Sequence, residues 1–149
     1  EYGNNFVKTM LRLGKERDEL NVVSDQIGSP TYATDLAGAI LKITKNKEFR
    51  EEGQTTQIYH YSNEGKISWY DFSKEIFKLA EIDCKVNPIT TQQYPTPAKR
   101  PKNTLMNKDK IDEIFSVNIP DWKLNIPSTV ETYSLKLSKI KDMLENRSE

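Results

Sequence analysis

Three prolines, Pro95, Pro97 and Pro101, fall within seven residues of one another. Each fixes φ near −65°, lacks a backbone donor and pushes the residue before it out of the helical region. Neither a helix nor an interior strand can run through 94–101, so this stretch is expected to be extended and stiff. The rest of the chain has to fold from short elements on either side of it.

Hydrophobic spacing supplies those elements. Phe6, Met10 and Leu13, widened by Val7 and Leu11, predict a helix over 4–13, capped by Asn4 or Asn5 and closed by Gly14. Residues 20–23 read as a strand, and 24–31 as a loop dense in turn formers. Tyr32 and Ala33 read as a second short strand. Thr34 or Asp35 then caps a helix carrying Leu36, Ala37, Ile40, Leu41 and Ile43. A polar connection over 44–57 leads to a strand at 58–61. Ser68, with Asp71 three positions on, predicts a capped helix through Phe72, Ile76, Phe77, Leu79 and Ala80. Residues 86–89 are extended, and Asn107 caps a helix over 108–115. A final helix runs to about residue 146 on a stripe of Val130, Tyr133, Leu137, Ile140 and Leu144. The expected class is mixed α/β, helices on a few short strands, too few for a complete open sheet.

At 149 residues the chain has the length of one domain. Twenty-two basic residues balance twenty-two acidic ones, which argues against a nucleic-acid binder or a polybasic membrane module. No apolar run approaches the roughly 18 residues of a membrane span, and the first residues lack the basic and apolar regions of a signal peptide. A cytoplasmic setting is therefore expected, with neither nucleic acid nor membrane as partner. The single Cys84 excludes an intrachain disulfide or a multi-cysteine metal site and reads as a small core residue.

Neither GxGxxG nor GxxxxGK[ST] occurs, so no phosphate-cradling glycine loop of either kind is present. The one histidine, His60, lies outside any metal-ligand pattern and reads as a strand residue with a local hydrogen-bond partner. Tyr70 and Lys74 stand at Y-x-x-x-K spacing, but no dinucleotide fold precedes them; they read as one face of a surface helix. Two segments remain. In Asp25-Gln26-Ile27-Gly28-Ser29-Pro30-Thr31, Gly28 suits a tight turn and Pro30 fixes the exit, which leaves the Gln26 amide and the Thr31 hydroxyl for a ligand. In Tyr94-Pro95-Thr96-Pro97-Ala98-Lys99-Arg100-Pro101, Arg100 sits on a stiff backbone, and its guanidinium fork suits a diphosphate or a carboxylate.

These segments carry a resemblance. Residues 22–31 resemble the VVxDQxGxPT signature of the dTDP-4-dehydrorhamnose reductase family, extended short-chain dehydrogenase/reductases. Asp35-Leu36-Ala37 resembles the helix after it, and Asn5-Phe6-Val7-Lys8-Thr9-Met10-Leu11 the helix that opens the family's C-terminal part. Tyr59-His60-Tyr61 with Ser68-Trp69-Tyr70-Asp71-Phe72 is similar to its YHYxxxGxxSWYxFA run, and residues 94–101 to its YPTPAxRPxxS stretch. Thr104 stands where that pattern has serine, and Asn107 where it has aspartate.

The resemblance implies that residues 1–149 form a single substrate-binding domain that grips a dTDP-sugar. An N-terminal Rossmann domain, absent from this chain, would bind NADPH or NADH and carry the catalytic tyrosine and lysine. The reaction implied is reduction of dTDP-4-dehydro-6-deoxy-L-mannose to dTDP-L-rhamnose for cell-surface polysaccharide, with the fragment alone inactive. Some members are homodimers, and Mg2+ has been linked to some; this chain is expected to hold no cofactor and no metal. Carried over by residue, Arg100 meets the diphosphate, Gln26 and Thr31 lie near the substrate, and Asn5 and Phe6 border the nucleotide. Two other readings stay open: a non-catalytic regulatory relative, and a related nucleotide-sugar epimerase or dehydratase.

Overall fold

The structure is a computed structural model and describes residues 3–46 and 56–145. In chain order these form α1 (Phe6–Glu16), β1 (Glu19–Val23), β2 (Ile27–Gly28), α2 (Ala33–Lys45), β3 (Ile67–Ser68), α3 (Trp69–Leu79), β4 (Lys85–Ile89), α4 (Asp109–Phe115) and α5 (Ile126–Glu145). Single 3-10 turns lie at Thr91–Gln93 and Trp122–Leu124. Contacts divide the chain into two units. Unit 1 comprises Glu1–Gln26, Ser68–Lys102 and Asn125–Glu149; unit 2 comprises Ile27–Ile67 and Asn103–Leu124. The class is mixed α/β, as the sequence predicts, with strands confined to the pairs β1–β4 and β2–β3 among the described residues.

Unit 1 is built on the parallel pair β1–β4, in which Leu20 faces Val86 and Val23 faces Ile89. Leu20, Val22 and Val23 are buried, beneath a core that includes Leu11, Phe72, Ile76 and Phe77. Pro88 is tolerated in β4 because a two-stranded sheet has only edges. Asn5 is the N-cap of α1, its Oδ1 accepting from the Lys8 amide at 2.9 Å. Ser68 caps α3 as predicted: its Oγ accepts from the Asp71 amide at 3.0 Å and donates to Asp71 Oδ2 at 2.6 Å. That helix ends with Glu81 in the left-handed region and an Ile82 N–H to Phe77 carbonyl bond at 3.0 Å, which satisfies the orphaned last turn. Cys84 is a buried free thiol, as predicted. Burial foremost, then the carboxylates of Asp18, Asp83 and Glu19, push its pKa up and keep it protonated.

Unit 2 packs Ala39 of α2 against Ile111, Phe115 and Val117, with Ile43, Tyr59, Tyr61 and Ile119 closing around them. Fully buried Asn63 ties this unit together. Its Oδ1 accepts from the Tyr32 amide at 2.9 Å, and its Nδ2 donates to Asp35 Oδ2 at 2.6 Å and to the Pro120 carbonyl at 3.1 Å. Every polar atom of that amide is thus used, as burial demands.

Several local expectations are corrected. Tyr32 and Ala33 are not a strand: Ala33 opens α2, whose N-cap is Tyr32 and not Thr34 or Asp35. Asp35 instead lies in the first turn, where its charge suits the helix dipole. Residues 58–61 form no strand, because no partner strand runs beside them. Tyr59 sets its ring edge-on to Phe115 at 5.1 Å, the Ile58 carbonyl accepts from Lys110 Nζ, and His60 is exposed. Asn107 stands one residue ahead of the α4 cap, yet its Oδ1 still accepts from the Asp109 amide at 2.9 Å. Most of the connection over 44–57 lies outside the described residues, as does the predicted helix end at 146. Of the α5 stripe, Val130 is buried and Tyr133 half-buried, while the side chains of Leu137, Ile140 and Leu144 lie outside the description.

Gly14 does not close α1, which continues to Glu16. A Cβ at this position would stand 2.7 Å from Cε1 of buried Phe77, so the glycine allows α1 and α3 to approach each other. Close packing here outweighs the roughly 1 kcal/mol of helix propensity that glycine forfeits. Gly14→Ala is accordingly expected to lower unfolding free energy by about 1–3 kcal/mol in urea titration, despite alanine's better propensity. A stabilised variant would show that the helices are free to move apart.

Candidate functional site

Parallel pairing places the carboxyl ends of β1 and β4 at the same edge, the place where open α/β folds bind ligands. From β1 the chain leaves through Ser24, Asp25 and Gln26; from β4 it leaves through Thr90 and the turn Thr91–Gln93. The two exits are stitched together. The Ser24 amide donates to the Ile89 carbonyl at 2.9 Å. Asp25 Oδ1 accepts from both the Thr91 amide at 2.8 Å and the Thr91 hydroxyl at 2.7 Å. Gln26 Nε2 donates to Thr91 Oγ1 at 3.1 Å. The turn holds itself by a capping box, in which Gln93 Oε1 accepts from the Thr90 amide at 2.8 Å.

In unit 2 the following residues of both stretches also run side by side. Ile27 and Asn103 form a parallel bridge, and the Thr104 amide and hydroxyl donate to the Ile27 carbonyl at 3.0 and 3.2 Å. A Cβ on Gly28 would meet Thr104 Oγ1 at 2.6 Å. Gly28 therefore serves close approach within β2 and not a tight turn; it is not among the glycines with positive φ. The threonine that replaces the expected serine keeps the hydroxyl this contact uses.

The five residues singled out from sequence lie as follows. Asn5 and Phe6 adjoin at the start of α1. Asn5 Nδ2 donates to the Tyr133 hydroxyl at 3.2 Å, while the Phe6 ring lies 4.6 Å from that of Trp69 and stacks on Phe72 at 5.7 Å. Trp69 remains 43% exposed, so Phe6 borders an accessible aromatic face. Gln26 is half-buried and engaged with Thr91. Arg100 is exposed in the irregular segment of unit 1, and Thr31 is exposed in unit 2. A cleft of about 430 Å³ in unit 2, bordered by Glu64, Lys108, Asp109 and Asp112, is lined by none of the five. Lys74 Nζ stands 5.1 Å from the Tyr70 ring centroid on α3, a surface cation–π pair.

Sequence reasoning passed over Asp25 as an organiser and Thr91 altogether. The only available signal was the hydrogen-bonding capacity of an Asp in a turn-rich loop, and the partner lies 66 residues away. Among the described residues no group of three or more His, Cys, Asp or Glu could hold a metal ion, so the Mg2+ linked to some members of the family finds no ligand set in them. The dinucleotide-binding motif GxGxxG does not occur in the sequence either. Among the described residues no helix is long and apolar enough to cross a membrane.

Hydrogen bonds from the Thr91 hydroxyl foremost, then from its amide, with Lys102 nearby, hold the Asp25 carboxyl below its ordinary 3.8 against a rise from desolvation. A lowered folded pKa stabilises the fold above the unfolded value, and that contribution is lost as pH falls through the folded one. The Asp25 contribution is thus complete at neutral pH and disappears below 3.8. Asp25→Asn should be less stable than wild type near neutral pH. The gap in urea midpoint should narrow as pH falls from about 5 to about 2.5. A gap constant over that range would show that the carboxylate's charge does not matter to the clamp.

Residues 1–135 match the family of the RmlD substrate binding domain. The chain is 48% identical over 129 residues to the dTDP-4-dehydrorhamnose reductase of Aggregatibacter actinomycetemcomitans, covering 83% of this chain and 44% of that protein. Its fold superposes on a dTDP-4-dehydrorhamnose reductase crystal structure from Clostridium acetobutylicum with a TM-score of 0.77 and 42% identity, over 87% of this chain and 44% of that one. The Bacillus anthracis enzyme in complex with NADP gives a TM-score of 0.73 at 38% identity, covering 91% of this chain and 44% of that one. The chain thus spans a little under half the length of the relatives it matches. Signature loop, proline-rich stretch and fold agree with these matches, and the chain belongs to the dTDP-4-dehydrorhamnose reductase family, in its RmlD substrate-binding part.

Proposed function

We propose that residues 1–149 act as the nucleotide-sugar-holding domain of a dTDP-4-dehydrorhamnose reductase. The longer protein would reduce dTDP-4-dehydro-6-deoxy-L-mannose to dTDP-L-rhamnose in the cytoplasm, with NADPH bound by a Rossmann domain outside this chain. NADPH is favoured over NADH by the NADP found with the Bacillus anthracis relative. The observation that supports the reading is the bonding of the signature loop to residues on either side of the proline-rich stretch. Asp25 and Gln26 bond to Thr91 in unit 1, and Ile27 bridges Asn103 in unit 2.

Each residue has a physical task in this reading. Arg100 carries a planar guanidinium fork that can pair two diphosphate oxygens. Pro101 limits the backbone freedom lost when the ligand is gripped. Gln26 and Thr31 offer an amide and a hydroxyl to the sugar. Asn5 and Phe6, at the capped start of α1 beside Trp69, border the nucleotide, whose base needs an apolar aromatic wall. No residue described here supplies the hydride or the proton for reduction, which is the work of the other domain.

Calorimetric titration with dTDP tests the assignment. Arg100→Ala should weaken binding about 10-fold or more, the size of a lost charge-assisted pair, and Arg100→Lys should fall between, since it keeps the charge and loses the fork. Equal affinity in wild type and Arg100→Ala would remove Arg100 from the site. Mixed with NADPH and the 4-dehydro sugar, the chain alone should oxidise no NADPH above background; turnover would place the catalytic groups within these residues.

A further inference from the structure

The Thr91 hydroxyl stands between two side chains that enter from the β1 exit, giving its proton to Asp25 Oδ1 at 2.7 Å and accepting from Gln26 Nε2 at 3.1 Å. An ionised carboxylate can only accept, so Asp25 takes the one hydroxyl proton and leaves an oxygen lone pair turned to Gln26. That polarity decides which end of the Gln26 amide meets Thr91: the NH2 group, not the carbonyl. The amide is planar, so fixing Nε2 also fixes Oε1 on its other fork. The Thr91 backbone N–H, bonded to the same Asp25 oxygen at 2.8 Å, prevents the turn from swinging away. A free glutamine side chain loses rotamer entropy when a ligand orders it, and here most of that ordering precedes the ligand.

Resting on the reading that Gln26 meets a nucleotide sugar, we propose that Thr91 is a positioning residue of that site, oriented by Asp25, which presets the Gln26 amide with Oε1 as the atom offered to the ligand. A carbonyl oxygen accepts and cannot bond a deprotonated diphosphate. The preset atom therefore reads a donor on the ligand, a hexose hydroxyl or an N–H or hydroxyl of the nucleoside, while Arg100 reads the charge. Thr91 and Gln26 should accordingly act as one unit, and Arg100 separately from both.

Thr91→Val, which keeps the shape and removes the hydroxyl, and Thr91→Ser, which restores it, are compared with wild type in two measurements. In the free protein, the NMR signals of the Gln26 side-chain amide should shift and lose order in Thr91→Val and return in Thr91→Ser; unchanged signals in Thr91→Val would overturn the proposal. In titrations with dTDP and with dTDP-L-rhamnose, Thr91→Val should weaken binding about 3- to 10-fold and Thr91→Ser should restore it, with no further loss on adding Gln26→Ala. A loss confined to dTDP-L-rhamnose assigns the donor to the hexose; an equal loss for both ligands assigns it to the nucleoside. Unaltered affinity for both would overturn the proposal while leaving the Arg100 assignment standing. Should wild type bind neither ligand, the nucleotide-sugar reading fails and the ligand role of Thr91 with it, even if the Gln26 signals respond. If Thr91→Val does not fold, Gln26→Asn, whose shorter amide cannot reach Thr91, replaces it: binding as weak as that of Gln26→Ala supports the proposal, and wild-type binding overturns it.

Discussion

Parallel strands cannot be joined by a hairpin. Once β1 and β4 pair in parallel, the chain between them has to leave the sheet, travel and return. Here the excursion builds the first part of unit 2 and then α3, whose apolar face comes back onto the sheet through Phe72, Ile76 and Phe77. The same pairing has a chemical result. Both strands end at one edge, so polar residues that follow them, 66 positions apart in sequence, emerge within hydrogen-bonding distance. The Asp25–Thr91–Gln26 cluster is a consequence of strand direction, and an antiparallel pair of the same two strands would have sent these residues to opposite ends.

Charge and hydrogen-bonding capacity are divided between two stretches of the chain. The signature loop contributes neutral hydrogen-bonding groups and one carboxylate, which is used internally on Thr91. The proline-rich stretch contributes the cations Lys99, Arg100 and Lys102 on a backbone with little freedom left to lose. Two glycines serve close approach: Gly14 lets two helices touch, and Gly28 lets Thr104 reach a backbone carbonyl.

Much of this could be read from residue order. Asn5 and Ser68 are side chains that bond to their own helix within three residues, so their caps depend on nothing distant. The stripe of α1 and the burial of Cys84 followed from the same local or compositional logic, whereas residues 94–101 are irregular and bend at Tyr94, Pro97 and Ala98. Where the reading failed, the deciding partner was far along the chain. Gly14 looked like a helix stop until Phe77 occupied the space beside it. Residues 58–61 had the composition of a strand, but no neighbouring strand was there to accept their hydrogen bonds, and the tyrosines went to the core of unit 2 instead.

The sequence by itself determined the caps of α1 and α3, the balanced charge and the family signature, because each is written in neighbouring residues or in totals. Only the tertiary structure decided that Thr91 stands between Asp25 and Gln26, that Gly28 faces Thr104, and which glycine serves a contact and not a turn. The physical reason is range. Periodicity and capping act over one or two turns of chain, whereas a hydrogen bond between strand exits exists only after the strands have chosen their direction and register.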